Sequence, residues 1–91
     1  RYRILERDSY TCGLCKPMFG REPKALRPTF LDVIRVVGNK KGTAGNLVTA
    51  CRVCARRVVG RLPKLVEATV LAENLDLCAQ WNIDPTEVLE P

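Results

Sequence analysis

Two Cys-x-x-Cys pairs, Cys12/Cys15 and Cys51/Cys54, constrain this chain more than any other feature. The spacing within each pair suits the two-ligand bite of a knuckle or a helix start, and two bites supply the four sulfurs of a closed tetrahedral zinc site. Because 35 residues lie between Cys15 and Cys51, an ion held by all four sulfurs joins distant segments and contributes directly to folding free energy. Two other readings use the same sulfurs. Disulfides are disfavoured by the absence of a visible secretory signal, while a four-sulfur iron site needs the same donors. We expect one structural Zn²⁺ on Cys12, Cys15, Cys51 and Cys54, with Arg52, Arg56 and Arg57 favouring the thiolate form. The fifth cysteine, Cys78, falls on an apolar helical face and reads as core.

A metal staple is physically useful in a chain of this size. Ninety-one residues, 46% of them hydrophobic, allow one small domain with a thin core. No apolar run approaches the roughly 20 residues that span a bilayer, and no signal-peptide pattern is present, so no membrane insertion is expected. The expected setting is intracellular, with cytoplasm and organelle interior indistinguishable. The chain opens without Met and closes on a helix-start pattern, as an ordered piece of something longer does.

The net charge of +5 hides two electrostatic halves. All 15 Lys and Arg lie in residues 1–64 against Glu6, Asp8, Glu22 and Asp32, a net of +11; residues 65–91 carry six acids and no base, a net of −6. A basic half can release counterions from a phosphate backbone, and an acidic half repels nucleic acid or docks on a basic neighbour. The plainer alternative is an unevenly charged solvated surface.

Along the chain, residues 1–8 read as a short helix that delivers the first cysteine pair. The segment between Cys15 and Thr29, broken by Pro17, Gly20, Pro23 and Pro28, reads as a loop. Residues 29–37 make the best strand, rich in β-branched and apolar side chains. A glycine-rich basic loop follows, with Lys40 and Lys41 at its turn, and residues 51–62 have helical composition until Gly60 and Pro63.

Three blocks in order carry a family resemblance. Arg3-Ile-Leu-Glu-Arg-Asp-Ser-Tyr-Thr-Cys12-Gly-Leu-Cys15, Leu31-Asp32-Val33-Ile34 and Asn46-Leu-Val-Thr-Ala-Cys51-Arg-Val-Cys54-Ala55-Arg56-Arg57 together resemble the zinc-containing, four-cysteine branch of the HNH endonucleases. The resemblance covers residues 3 to about 60. It implies an α+β fold: a small ββα-metal core, buttressed by a four-cysteine zinc knuckle, here with an added C-terminal helix. It also implies hydrolysis of nucleic-acid phosphodiesters.

The catalytic positions depart from that pattern. The family carries an Asp-His pair on its first strand, whereas this chain has Asp32-Val33, and valine cannot take a proton from water. Where the family has Asn or His as an ion ligand after the last cysteine, this chain has Ala55. Asp32 and Asn46 remain as remnants, the first matching an ion-holding carboxylate and the second the Asn that braces the loop. With no histidine anywhere, any other base would need a special placement. The expectation is therefore a protein that is not an enzyme, with an active metal-dependent endonuclease as the weakest reading.

Phosphate contacts survive loss of cleavage, because they use other residues. Arg35, Lys40, Lys41, Arg52, Arg56, Arg57 and Arg61 would surround a backbone in the family fold, with Arg52/Arg56 and Arg57/Arg61 forming two helical rows. The alternative is arginines that simply face solvent, and few aromatics accompany them for stacking on single strands. Tyr2 and Tyr10 are expected beneath the zinc knuckle.

The C-terminal segment points to a protein partner. Taken as one helix over 64–81, Leu65, Ala68, Leu71, Ala72, Leu75, Cys78 and Ala79 form a wide apolar face expected on the core, and Val66, Val70, Leu77 and Trp81 form a second stripe expected to dock a partner. A helix burying both faces in its own domain is the alternative. Asp84-Pro85-Thr86-Glu87 then reads as the start of another helix. Residues 1–63 are thus expected to form an HNH-like zinc-binding domain and 64–91 a helical docking extension. The expected function is a catalytically inactive structural subunit of a larger protein assembly. A non-cleaving nucleic-acid-binding module in a ribonucleoprotein or DNA-processing complex is the alternative, and no small-molecule substrate is expected.

Overall fold

The β-rich segment expected over residues 29–37 pairs with the residues that lead into the second cysteine pair. In the computed structural model, which describes residues 1–58 and 61–90, β1 (Leu31–Arg35) runs antiparallel to β3 (Leu47–Cys51), with Leu31 opposite Cys51 and Arg35 opposite Leu47. Because strand side chains alternate between faces, this hairpin has two insides. Val48 and Ala50 point into a cluster with Cys12, Leu14, Cys15, Val36, Cys54, Leu62 and Val70. Leu47 joins a second cluster with Ile4, Ala44, Cys78 and Ile83, against which Val33 packs. Burial on both faces explains why Leu47 to Ala50 are buried without a break instead of alternating.

Helices close both sides. α1 (Tyr2–Arg7) brings Ile4 and Leu5 to full burial, while α2 (Cys15–Phe19), α3 (Arg52–Arg57) and α4 (Lys64–Gln80) complete the shell. The segment after Cys15 departs from the expected loop, since α2 forms across its first proline. Pro17 lies in its first turn, where backbone N–H groups have no intrahelical partner to lose. Gly20 then stops it in the left-handed region at φ 66°.

The glycine-rich loop contributes β2 (Gly42–Thr43), which pairs antiparallel with β4 (Val88–Glu90). This corrects the helix expected from Asp84 onward. Asp84 does use its carboxylate locally, accepting from the Thr86 amide at 2.9 Å and the Thr86 hydroxyl at 2.7 Å. The following backbone is nevertheless recruited by the loop: Ala44 donates its N–H to the Glu87 carbonyl and Gly45 to that of Pro85. Those carbonyls are spent on a neighbour, so no helix propagates. Gly42 permits the approach, as a Cβ there would lie 2.7 Å from the Glu90 carbonyl oxygen.

α4 is turned the other way from the expected orientation. Val70 is buried at 1% exposure, Val66 and Leu77 are half-buried, and only Trp81 of the expected docking stripe is exposed. Leu65, Ala68, Ala72, Leu75 and Ala79, expected on the core, face outward. Apolar residues occur all round this helix, so periodicity does not choose a side, and a polar residue does. Asn74 is buried and donates through Nδ2 to the carbonyls of Gly45 and Leu47, both at 3.0 Å. Turning Asn74 inward carries Val66, Val70 and Cys78 with it. Residues 64–90 therefore share both clusters with the preceding segment.

Candidate metal centre and basic surface

Each ligand sits at the edge of a regular element. Cys12 lies in the turn after α1, Cys15 opens α2, Cys51 closes β3 and Cys54 occupies the first turn of α3. Pairing β1 with β3 fixes where the strand ends, and that end presents Cys51 to the knuckle. The four Sγ atoms lie within 4.8 Å of one another. Cys15 Sγ is 3.8 Å from Cys51 Sγ and 3.7 Å from Cys54 Sγ. A tetrahedron with metal–sulfur bonds of about 2.3 Å has edges of about 3.8 Å, so this spacing suits one ion at the centre. All four cysteines are free thiols, and backbone amides already address the sulfurs: Leu14 N–H points to Cys12 Sγ at 3.4 Å and Cys54 N–H to Cys51 Sγ at 3.5 Å.

Burial and the contacts within the cluster act differently on three of these thiols. Burial pushes Cys15 up to about 11, with Cys12 adding to the rise, and it pushes Cys54 up strongly. Burial also opposes ionisation of Cys51, but the Cys54 amide and the neighbouring thiols outweigh it and lower Cys51. The lowering thus comes from within the knuckle and not from the flanking arginines expected to supply it. Arg52 is engaged elsewhere, donating to the Thr29 carbonyl at 2.8 Å with its guanidinium 5.7 Å over the Phe30 ring. A metal ion takes cysteine as thiolate, so binding an ion at these four sulfurs would exchange protons for metal.

The positions expected to be catalytic remnants differ in their surroundings. Asp32 is exposed on β1, and Val33 beside it is half-buried against the second cluster. Ala55 packs against the first cluster. Asn46 is buried and closes the loop, with Nδ2 donating to the Val37 and Lys41 carbonyls at 3.1 and 2.9 Å and Oδ1 accepting from Val37 N–H at 2.9 Å. Tyr2 is exposed, correcting its expected place beneath the knuckle, and Tyr10 is half-buried.

The seven basic residues are only partly gathered. Arg35, Lys40 and Lys41 line one concavity with Glu90, whose carboxylate accepts from Arg35 Nε at 2.8 Å. Arg61 lines an adjoining one with Val37, Gly38 and Asn39. Arg56 and Arg57 stand exposed on α3, which ends at Arg57, so the expected helical row of Arg57 and Arg61 does not form.

The most connected residue escaped the sequence reading. Arg7 is 1% exposed and donates to both Asp8 oxygens, to the Ala44 and Leu47 carbonyls, to Asn74 Oδ1 and to Cys78 Sγ. Burial opposes its charge, yet Asp8 and Cys78 together outweigh it and its pKa is raised. The signal available was an Arg-Asp pair one residue after Ile4-Leu5, together with a lone Asn on the C-terminal helix.

These elements define a small mixed α+β protein with a cluster of four cysteines that could hold a metal ion and two short antiparallel sheets. No family model, curated protein or solved structure matches the chain. Among the described residues, no helix is long and apolar enough to cross a membrane.

Proposed function

We propose that this chain is a zinc-stapled, non-cleaving relative of the HNH nucleases that serves as a structural docking subunit. The observation that carries this reading is Val33. At the position where the resemblance requires a general base, the side chain is an isopropyl group packed against the Ile4, Ala44, Leu47, Cys78 and Ile83 cluster. That residue stabilises the fold, and it has no proton chemistry to offer.

The architecture supports the kinship. β1, the loop that carries β2, β3 and α3 follow one another, so that the β1–β3 hairpin leads into a helix, with Asn46 bracing the loop and a cysteine pair spanning the junction of β3 and α3. Zinc is the proposed ion because four thiolates in a closed, largely buried shell with no open position are its usual structural site. A nucleic-acid-binding role is the second reading, favoured by the convergence of Arg35, Lys40 and Lys41. It is weakened by Glu90, which takes up part of that charge.

The experiment is metal analysis combined with cleavage and binding assays on the purified chain. We expect one zinc per chain and no cutting of duplex or single strands with Mg²⁺ or Mn²⁺. Cleavage abolished by Asp32→Ala would overturn the proposal, and a coloured iron protein would overturn the choice of zinc. Salt-sensitive duplex or RNA binding lost in a Lys40→Glu, Lys41→Glu double variant would move the second reading ahead of the first.

A further inference from the structure

The side of α4 that faces away from the core carries a regular seam. Leu65, Ala68, Ala72, Leu75 and Ala79 follow one another at intervals of three, four, three and four residues, and all five are exposed, Leu65 at 81% and Leu75 at 54%. That alternation is the spacing of paired helices, and leucine next to alanine lets two backbones approach closely. The core does not need this face, because Val66, Val70, Asn74 and Cys78 fill the opposite one.

The two edges of the seam differ in charge. Along one edge the loop bearing Lys40 and Lys41 forms, with Leu71 and Leu75, the walls of a cleft of about 690 Å³. At 100° per residue, Thr69, Glu73, Asp76 and Gln80 fall on the other edge. One flank is basic and the other acidic.

We infer that α4 pairs with α4 of a second copy of this chain, side by side and parallel, about a two-fold axis along the helices. This orientation sets the basic edge of each copy against the acidic edge of the other, bringing Lys40 and Lys41 opposite Asp76 and Glu73 across the seam. An antiparallel pair would set like edges together, which costs energy where the parallel pair gains it. The open cleft beside Leu71 and Leu75 leaves room for the second helix and its acidic side chains. The seam runs about 21 Å from residue 65 to 79 and has alanine at three of its five positions. The contact is therefore at the small end of stable interfaces, and association depends on concentration. The inference is independent of the nuclease kinship: zinc content and the absence of cleavage are the same whether the chain is one copy or two.

The test is sedimentation equilibrium of the metal-loaded full chain over a concentration series. A reversible monomer–dimer equilibrium is expected. Leu65→Glu with Leu75→Glu, both at exposed positions, should weaken it at least about tenfold, the equivalent of 1.4 kcal/mol, without altering helix content or metal stoichiometry. Asp76→Lys should also weaken self-association. Mixing that variant with a Lys40→Glu, Lys41→Glu chain should restore pairing as a heterodimer. A chain that stays monomeric at every concentration overturns the pair and leaves the seam to a helix of another protein. Self-association strengthened by Asp76→Lys overturns the parallel arrangement.

Discussion

Arg7 grips both carboxylate oxygens of Asp8, Nε to Oδ1 at 2.7 Å and Nη2 to Oδ2 at 3.0 Å, and Oδ2 in turn accepts the Thr49 amide at 3.0 Å. Two adjacent residues thereby tie α1 to the middle of β3. The other Arg7 donors reach Ala44, Leu47, Asn74 and Cys78, so one guanidinium joins α1, the loop, β3 and α4. Its fork geometry and its permanent charge suit it to this place, where lysine would leave acceptors unmet.

Arg7→Met should therefore cost about 3–5 kcal/mol, because Asp8 is left as a buried charge without its partner. Asn74→Leu should cost less, about 1–3 kcal/mol, since it removes two hydrogen bonds to carbonyls and only one of the several acceptors that hold Arg7. Chemical denaturation of the metal-loaded protein measures both. An Arg7→Met loss no larger than that of an exposed arginine such as Arg57→Met would show that the network contributes little.

Removal of the ion should unfold the chain. Apparent zinc-binding free energies in small zinc domains run to about 10–16 kcal/mol, as large as the whole roughly 5–14 kcal/mol expected for a domain of this length. The four sulfurs connect the turn after α1, the start of α2, the end of β3 and the start of α3, so the hairpin and both knuckles lose their common anchor together. A strong chelator should abolish cooperative unfolding and most far-ultraviolet helical signal, and restored zinc should return both. Cys54→Ser should behave like the chelated protein. A chelated chain that keeps a sharp thermal transition would contradict this.

Placing an imidazole at residue 33 should not create a nuclease. Val33 is half-buried against an apolar cluster, so Val33→His brings a polar ring there at a cost of about 1–3 kcal/mol, while Ala55 still provides no second ion ligand. We expect lower stability and no plasmid cleavage with Mg²⁺ or Mn²⁺ from Val33→His. Cleavage gained by this one substitution would mean that the remaining residues already hold a catalytic ion.

How much of this was legible in the sequence depends on whether one residue type or a tertiary choice carried the information. The gathering of the four cysteines was legible because their spacing encodes ligand geometry directly, and the β1 strand and the long helix were legible from composition and length. The rotation of α4 was not. Its apolar residues surround the helix, and the deciding contact is Asn74 meeting Gly45 and Leu47, backbone acceptors 27 or more residues away. Arg7 was hidden for the same reason, because its value lies in four partners beyond residue 40. The Asp84 turn carries good helix-start residues, yet pairing with β2 outweighed local preference.

Gly42 allows the C-terminal strand to dock, and this makes the last prediction. A Cβ at residue 42 would lie 2.5 Å from Glu90 Cβ and 2.7 Å from the Glu90 carbonyl oxygen, and real side chains do not approach backbone so closely. Gly42→Ala must push β4 away from β2, at a cost in the range of about 1–3 kcal/mol usual for overpacking. Glu90→Gln keeps the strand and removes only the half-exposed ion pair with Arg35, worth about 0–1 kcal/mol. Amide exchange separates the two effects. Faster exchange is expected at Ala44 and Gly45, which donate to Glu87 and Pro85, in Gly42→Ala but not in Glu90→Gln. Because β4 and the turn before it are held at these points, the same substitution should also free Arg35 from Glu90 and increase the positive charge exposed beside Lys40 and Lys41. Equal exchange in both variants would mean that the ion pair, and not the close backbone approach, holds β4 in place.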